Sequence, residues 1–357
     1  MTIDFSLDRW EEAKANYRAW WAGDRERPLM QFNVWKGADR PEPALPDYAF
    51  TAFYDLSIPT EQIIDRWDYN LSGHKFLGDS FPHVFPNFGP GVIAAFTGCD
   101  LEVSISAQTC WFAPRKDVEI GDLRFVYDPE DIWFNRIKDI CRLGDERWGG
   151  LVQIGMTDLG GNLDILSSFR PGEKLLLDLY DHTEAVKERT WEAHEMWWRY
   201  FEELNALMPR NPGYTTWAPI FSEIPYYMLQ CDFCYMIGPD TFDEFVLPEL
   251  AASCKRLGNA FYHLDGPGEL PHLDSLLSIP ELKGIQWVPG AGVPQWEAWP
   301  DLYRKIRKAG KLIQIYGGPE TLDAVVEHVG GGEGIILLNW GVDEELAVKC
   351  LKKYGAV

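Results

Sequence analysis

Positive charge is what this 357-residue chain has least of: 33 lysines and arginines face 55 aspartates and glutamates, for a net charge of −22. Nucleic-acid binding relies on basic side chains that neutralise phosphates, so the shortage argues against a DNA or RNA partner. It argues equally against an anionic membrane surface. No apolar run approaches the ~18 residues of a membrane span. The opening MTIDFSLDRWEEAK is acidic and amphipathic, with no apolar stretch of secretory type, so a cytoplasmic protein is expected. Cysteines are few and odd in number, seven in all, which fits reduced thiols and excludes a dense disulfide framework. Cys231 and Cys234 form a C-x-x-C within an apolar aromatic run, but no second pair stands at zinc-finger spacing, and they read as buried structural thiols. A G-x-S-x-G is missing, which removes the nucleophile elbow of acyl-transfer hydrolases. No G-x-G-x-x-G follows the first strand, and no short repeat or low-complexity tract is present. The Gly317-Gly318 and Gly330 to Gly332 stretches lack the Lys or Ser/Thr of a phosphate loop.

What the chain does have is apolar and aromatic surface. Hydrophobic residues make up 46% and aromatics 14%, with 16 tryptophans, enough for a large core and an aromatic-lined cavity. The same surplus is compatible with a homo-oligomer. Residues 8–22 read as an amphipathic helix, and LMQFNVW as a strand. Residues 37–125 form an irregular elaboration, rich in Pro, Gly and aromatics, in which short helices and a small sheet are expected. From about residue 130 helices alternate with apolar runs: LVQIGMTDL, GYTTWAPI, MLQCDFCYMI, AFYHLD, GIQWV, LIQIYG and GIILLNW. With LMQFNVW these make about eight strands, continuous enough to be buried on both faces of a parallel sheet. That rhythm predicts an α/β fold, a (β/α)8 TIM barrel, as a single domain over residues 1–357.

In such a barrel the site lies where the strands end. The stretch NAFYHLDGPG places His263 and Asp265 two residues apart, on one side of a strand that opens into Gly-Pro-Gly. Other candidates at strand ends are Trp35, Asp158, Glu223, Trp287, Tyr316, Asn339 and Trp340. Asp158 could instead cap a helix, and Asn339 could satisfy a loop backbone. His263 with Asp265 and Glu223 suits a divalent metal in oxygen-rich ligation, or a general acid and base pair.

Three segments, TDLGGNLDILSSFRPGEKLLLDLYD, IGPDTFDEFVLPEL leading into AFYHLDGPG, and GIILLNWGVDEE, make the chain resemble the uroporphyrinogen decarboxylase superfamily, in particular its branch of cobalamin-linked methyltransferases. The resemblance implies a TIM barrel with its pocket over the strand ends and a small-molecule substrate. It also implies a corrinoid carried by a separate partner protein. Methyltransferases of that branch hold zinc through a His-x-Cys and a second Cys near the last strand. Here His263 matches, the first Cys position is Asp265, and Asn339 and Trp340 stand where the second would be. Without soft thiolates the set favours a harder metal, or none. The arginine-rich motif that binds a porphyrinogen's carboxylates has no counterpart in RPLMQFNVWKGADR. Two other functions remain open: a carboxylate-based hydrolase or lyase on a carbohydrate, with Trp35, Trp287 and Trp340 as stacking platforms, and a non-catalytic ligand-binding barrel.

Overall fold

The structure, a computed structural model, describes residues 3–357. Its strands are β1 (Leu29–Trp35), β2 (His74–Gly78), β3 (His83–Val84), β4 (Cys99–Ser104), β5 (Thr109–Pro114), β6 (Gln153–Ile154), β7 (Tyr226–Leu229), β8 (Asn259–Asp265), β9 (Gly284–Val288), β10 (Leu312–Tyr316) and β11 (Ile335–Trp340). Thirteen α-helices accompany them among the described residues, so the fold is mixed α/β. A seven-stranded sheet runs in the order β2-β1-β11-β10-β9-β8-β7, parallel except where β2 joins β1. β3 and β6 form a separate parallel pair, and β4 with β5 an antiparallel hairpin. The parallel strands alternate with helices as the sequence predicts. β2, from the irregular N-terminal region, is stitched onto the edge of the main sheet.

Two expected strands are much shorter than their apolar runs. Of LVQIGMTDL only Gln153 and Ile154 pair, and GYTTWAPI forms no ladder because Tyr214 bridges back to Ser222 in an antiparallel turn. The third run, MLQCDFCYMI, leaves the sheet after Leu229 and tightens into a 3-10 turn over Asp232–Met236. An anchor for that turn comes from the helix Asn162–Phe169: the Asp164 carboxylate accepts the backbone N–H groups of Asp232 and Phe233 at 3.1 and 2.8 Å.

The N-terminal helix Leu7–Ala22 starts where Ser6 accepts the Arg9 N–H and stops at Gly23 in the left-handed region. It buries Trp10, Ala13, Tyr17 and Trp20, spaced three or four apart on one face. Those rings pack with Phe81, Phe221, Tyr226 and Phe261 into a core that closes the end where the parallel strands begin. The opposite end, where the strands finish, is left to polar groups. No helix among the described residues is long and apolar enough to cross a membrane.

Candidate functional site

Parallel register and strand alternation together decide which side chains meet. His263 is aligned with Gln286 of β9, and Gln286 with Gln314 of β10. His263, Asp265 and Gln286 therefore share one face of the sheet, while Trp287 points to the other. Gly266, with φ of 79°, turns the chain out of β8 directly after Asp265. At the end of the neighbouring β7, the turn that Asp164 anchors brings in Asp232. One donor atom from each of Asp232, His263 and Asp265 lies within 4.8 Å of the others.

His263 is held from behind. Its Nδ1 bonds the Gln286 side-chain oxygen, and the Gln286 amide nitrogen donates to the Tyr316 hydroxyl at 3.2 Å. An amide oxygen can only accept, so the Nδ1 of His263 is the donor in this bond and Nε2 is the ring nitrogen not engaged by Gln286. Trp217, 5.9 Å away and nearly perpendicular, packs against the same imidazole ring. If the Asp232, His263 and Asp265 trio holds a divalent metal, replacing Gln286 with leucine should lower its affinity about 10- to 100-fold with little change in fold, the effect of losing a group that orients a ligating imidazole. A metal titration of purified wild type and variant checks this.

Carboxyl groups crowd this end of the sheet. Asp158 is buried, accepts the Gly160 N–H at 2.9 Å, and sits by the Tyr227 hydroxyl, which in turn accepts the Leu159 N–H. Burial first, and then Asp232, push its carboxyl up to about 7. Burial and the nearby Asp232 raise Asp164 as well. Asp232 is exposed as a residue, yet its carboxyl is crowded by protein: burial raises it, His263 offsets part of that, and Asp265 adds to it. Glu269 is 1% exposed with neither oxygen hydrogen-bonded, and burial pushes it up to about 11, so it stays neutral at physiological pH. No lysine or arginine among the described residues pairs with any of these carboxyls or with Asp265.

The raised pKa of Asp158 has a consequence for stability. Because the folded value lies above the ordinary 3.8, the protonated form favours folding fully below about pH 4, and that contribution is lost as pH rises through 7. Asp158→Asn should therefore match wild type at pH 4 and exceed it above pH 7 by on the order of 3–4 kcal/mol. Urea unfolding at the two pH values measures the difference.

With this geometry in place, comparison with known proteins is informative chiefly about fold. The chain is similar in structure to a methyltransferase from Methanosarcina mazei. The TM-score is 0.61 at 12% sequence identity, over 96% of this chain and 97% of that one. An alignment so complete at so low an identity describes a shared fold. No protein-family model matches the sequence. A search of curated proteins likewise finds no match.

The other predicted site residues fall in several places. Glu223 is not at this end. It precedes β7, at the strand's start, and forms a two-pronged ion pair with Arg18 of the N-terminal helix at 2.9 and 3.0 Å. It cannot work with Asp265, because the strand expected to carry it upward is folded back by the Tyr214–Ser222 bridge. Trp287 is no stacking platform either: it is fully buried on the helix-covered face, edge-on to Trp299 at 4.9 Å. Asn339 is spent on the loop backbone, donating to the Gly317 carbonyl and accepting from Val342 N–H. Trp35 and Trp340 are about half exposed at the ends of β1 and β11, and Trp340 leans on Tyr316 at 5.6 Å. Trp340 also borders a cavity of about 260 Å³ with Asn33, His83 and Phe85.

Asp232, Asp164 and Gln286 escaped the sequence reading. Asp232 lies between the two cysteines of the C-x-x-C, inside a run taken whole as strand. The signal available for Gln286 was its place one residue before Trp287 in a strand next to His263.

Proposed function

We propose that this chain is a small-molecule enzyme of methyltransferase type, built as a single (β/α)8 domain, that binds a divalent metal through Asp232, His263 and Asp265. The observation that carries the reading is the convergence of these three donors at the C-terminal ends of β7 and β8, with no lysine or arginine among the described residues paired to them. Two carboxylates and one imidazole suit a metal harder than one held by thiolates, such as Mn²⁺ or Co²⁺, and no cysteine takes part. When bound, the metal would act as a Lewis acid on a substrate oxygen or nitrogen. The residues of the chain do the rest. Gln286 and Tyr316 fix the imidazole, Asp164 fixes the turn that carries Asp232, and Asp158 can hold or release a proton near neutral pH. The methyl donor or acceptor in this reading is a corrinoid on a separate protein, in keeping with the resemblance to cobalamin-linked enzymes of the uroporphyrinogen decarboxylase superfamily and with the methyltransferase fold.

Protein purified without chelator should contain about one equivalent of divalent metal. With a matched acceptor it should change the absorption spectrum of methylcobalamin, and EDTA treatment should abolish that change. Thiol, alcohol, amine and phenol acceptors that all leave the spectrum untouched would remove methyl transfer. A carboxylate-based hydrolase or lyase is the second reading, favoured by the buried position of Asp158 beside the Tyr227 hydroxyl, where burial and Asp232 push the carboxyl up to about 7, the range in which a general acid is most useful. Turnover of nitrophenyl glycosides that disappears in Asp158→Asn would favour it; no turnover by the metal-loaded wild type would end it.

A further inference from the structure

Behind the turn that carries Asp232 lies a buried polar chain that the proposed reaction does not use. The helix Asn162–Phe169, whose Asp164 holds that turn by two backbone N–H groups, has only eight residues and begins at Gly161 with no side-chain cap. A short, uncapped helix has little of its own to fix its first turn. Two side chains supply that hold. Asn162 Nδ2 donates to Glu249 Oε2 at 2.7 Å, and Trp197 Nε1 donates to the Gly160 carbonyl at 3.1 Å. Glu249 sits in the first turn of the helix Leu247–Leu257, where a carboxylate is favoured. His194 Nδ1 stands 3.6 Å from the same Glu249 oxygen and 3.5 Å from the Ser253 hydroxyl. His194 and Trp197, three residues apart on the long helix Thr183–Ala206, therefore reach one turn, the first through Glu249 and the second directly.

Asn162, His194, Glu249 and Ser253 are each at most 4% exposed. Burying polar groups to that extent is costly unless they are partnered, and here the partners join three helices. Stability alone does not call for such a chain, because well-packed apolar side chains of similar volume often serve as well or better. What the chain adds is direction. The bond from Asn162 fixes the start of its helix against Glu249, and Asp164 lies two residues further on.

We propose that Glu249 and Asn162, backed by His194, are positioning residues for the site: their hydrogen bond sets where Asp164, and through it Asp232, stands relative to His263 and Asp265. The inference rests on the reading of Asp232, His263 and Asp265 as a metal site. It goes beyond that reading by assigning control of the site to residues outside the trio, on helices behind it.

Three variants and two readouts test it. Glu249→Gln keeps an oxygen for the Asn162 N–H, Glu249→Leu keeps the bulk without the oxygen, and Asn162→Ala removes the donor while leaving Glu249 in place. The first readout needs no metal: hydrogen exchange of the Asp232 and Phe233 amides, the two that Asp164 accepts. Their exchange should be about tenfold faster in Glu249→Leu and Asn162→Ala and unchanged in Glu249→Gln, while the amides of β10 and β11 exchange as in wild type. The second is Mn²⁺ titration. Affinity should fall about tenfold in the same two variants, the lower end of the loss expected from a group that orients ligands, and stay at the wild-type value in Glu249→Gln. Combining Glu249→Leu with Asn162→Ala should cost no more affinity than either alone, since both remove one bond. Faster exchange spread evenly over the chain with Mn²⁺ affinity intact would make the polar chain a stability element only and overturn the proposal. A Glu249→Gln protein as impaired as Glu249→Leu would overturn it too. Should Glu249→Leu fail to fold, Asn162→Ala against Glu249→Gln carries the same comparison. Wild type that takes up no Mn²⁺, with exchange at residues 232 and 233 still dependent on Glu249, defeats only the metal reading, whereas Mn²⁺ binding that neither Glu249→Leu nor Asn162→Ala weakens defeats only the positioning role.

Discussion

Asp232→Ala is expected to weaken Mn²⁺ binding by about 100-fold or more, a larger loss than the 10- to 100-fold typical of groups that merely orient a ligand. The substitution takes away one of three donors and one of two negative charges from a site whose donors lie within 4.8 Å of one another. The turn carrying residue 232 should survive, because Asp164 holds it by the backbone N–H groups of residues 232 and 233, which alanine retains. Loss of affinity should therefore come without loss of fold. A second effect follows from the same charge. Asp232 contributes to raising the Asp158 carboxyl, so Asp158 should titrate lower in the variant. Free Mn²⁺ measured by its EPR signal gives the affinity, and isotope-edited infrared or NMR titration gives the carboxyl. Glu223→Ala is the matched control. It removes a carboxylate of equal charge at the far end of the strands, where its solvent-exposed pair with Arg18 adds little stability, and metal affinity should not change. Equal Mn²⁺ affinity in wild type and Asp232→Ala would remove the trio as a metal site.

The contrast between Asp232 and Glu223 shows where sequence reasoning reaches and where it stops. His263 and Asp265 share a face because a strand alternates with a period of two, and β8 extends over its whole apolar run, so their partnership is legible in seven consecutive residues. Asp232 and Glu223 depend instead on where a strand ends, which apolar pattern alone does not state. β7 stops at Leu229 because the chain is captured by Asp164, 68 positions before Asp232, and that capture converts a residue of an apparent strand interior into one at the strand's mouth. The run before β7 reverses because Tyr214 and Ser222 exchange backbone hydrogen bonds at 2.8 and 3.0 Å, and this reversal sends Glu223 to the opposite end. Trp287 is a different kind of miss. The register that aligns His263 with Gln286 also turns Trp287 away, so alternation applied to the neighbouring strand would have placed it correctly. The alternation of helices with parallel strands from residue 130 onward was legible because it repeats; the polar contacts that assemble the site join segments far apart in sequence and leave no local pattern.

Gly161→Ala should be among the most damaging single-methyl additions in the protein, costing about 3 kcal/mol or more, at or beyond the upper end of ordinary overpacking. The backbone at Gly161 has φ of −80°, which any residue can adopt, so conformational strain makes no contribution. The cost is steric. A Cβ there would lie 2.2 Å from the Gln230 carbonyl oxygen and 2.5 Å from Asp164 Oδ2. Neither can yield cheaply, since Gln230 is the backbone leaving β7 and Asp164 is tied to the backbone of Asp232 and Phe233. Relief requires the helix Asn162–Phe169 to move away from the end of β7, and that motion carries Asp232 away from His263 and Asp265. Gly172→Ala provides the comparison: its φ is +66° and nothing lies within 4 Å of the added methyl, so it should lose only about 1 kcal/mol through backbone strain and leave metal affinity intact. Urea unfolding and Mn²⁺ titration on both variants test the argument together. A Gly161→Ala protein that is destabilised yet binds metal as tightly as wild type would show that the turn holding Asp232 is fixed by something other than Asp164, and one with unchanged stability would show that the helix and β7 are not in the close contact on which the site's assembly depends.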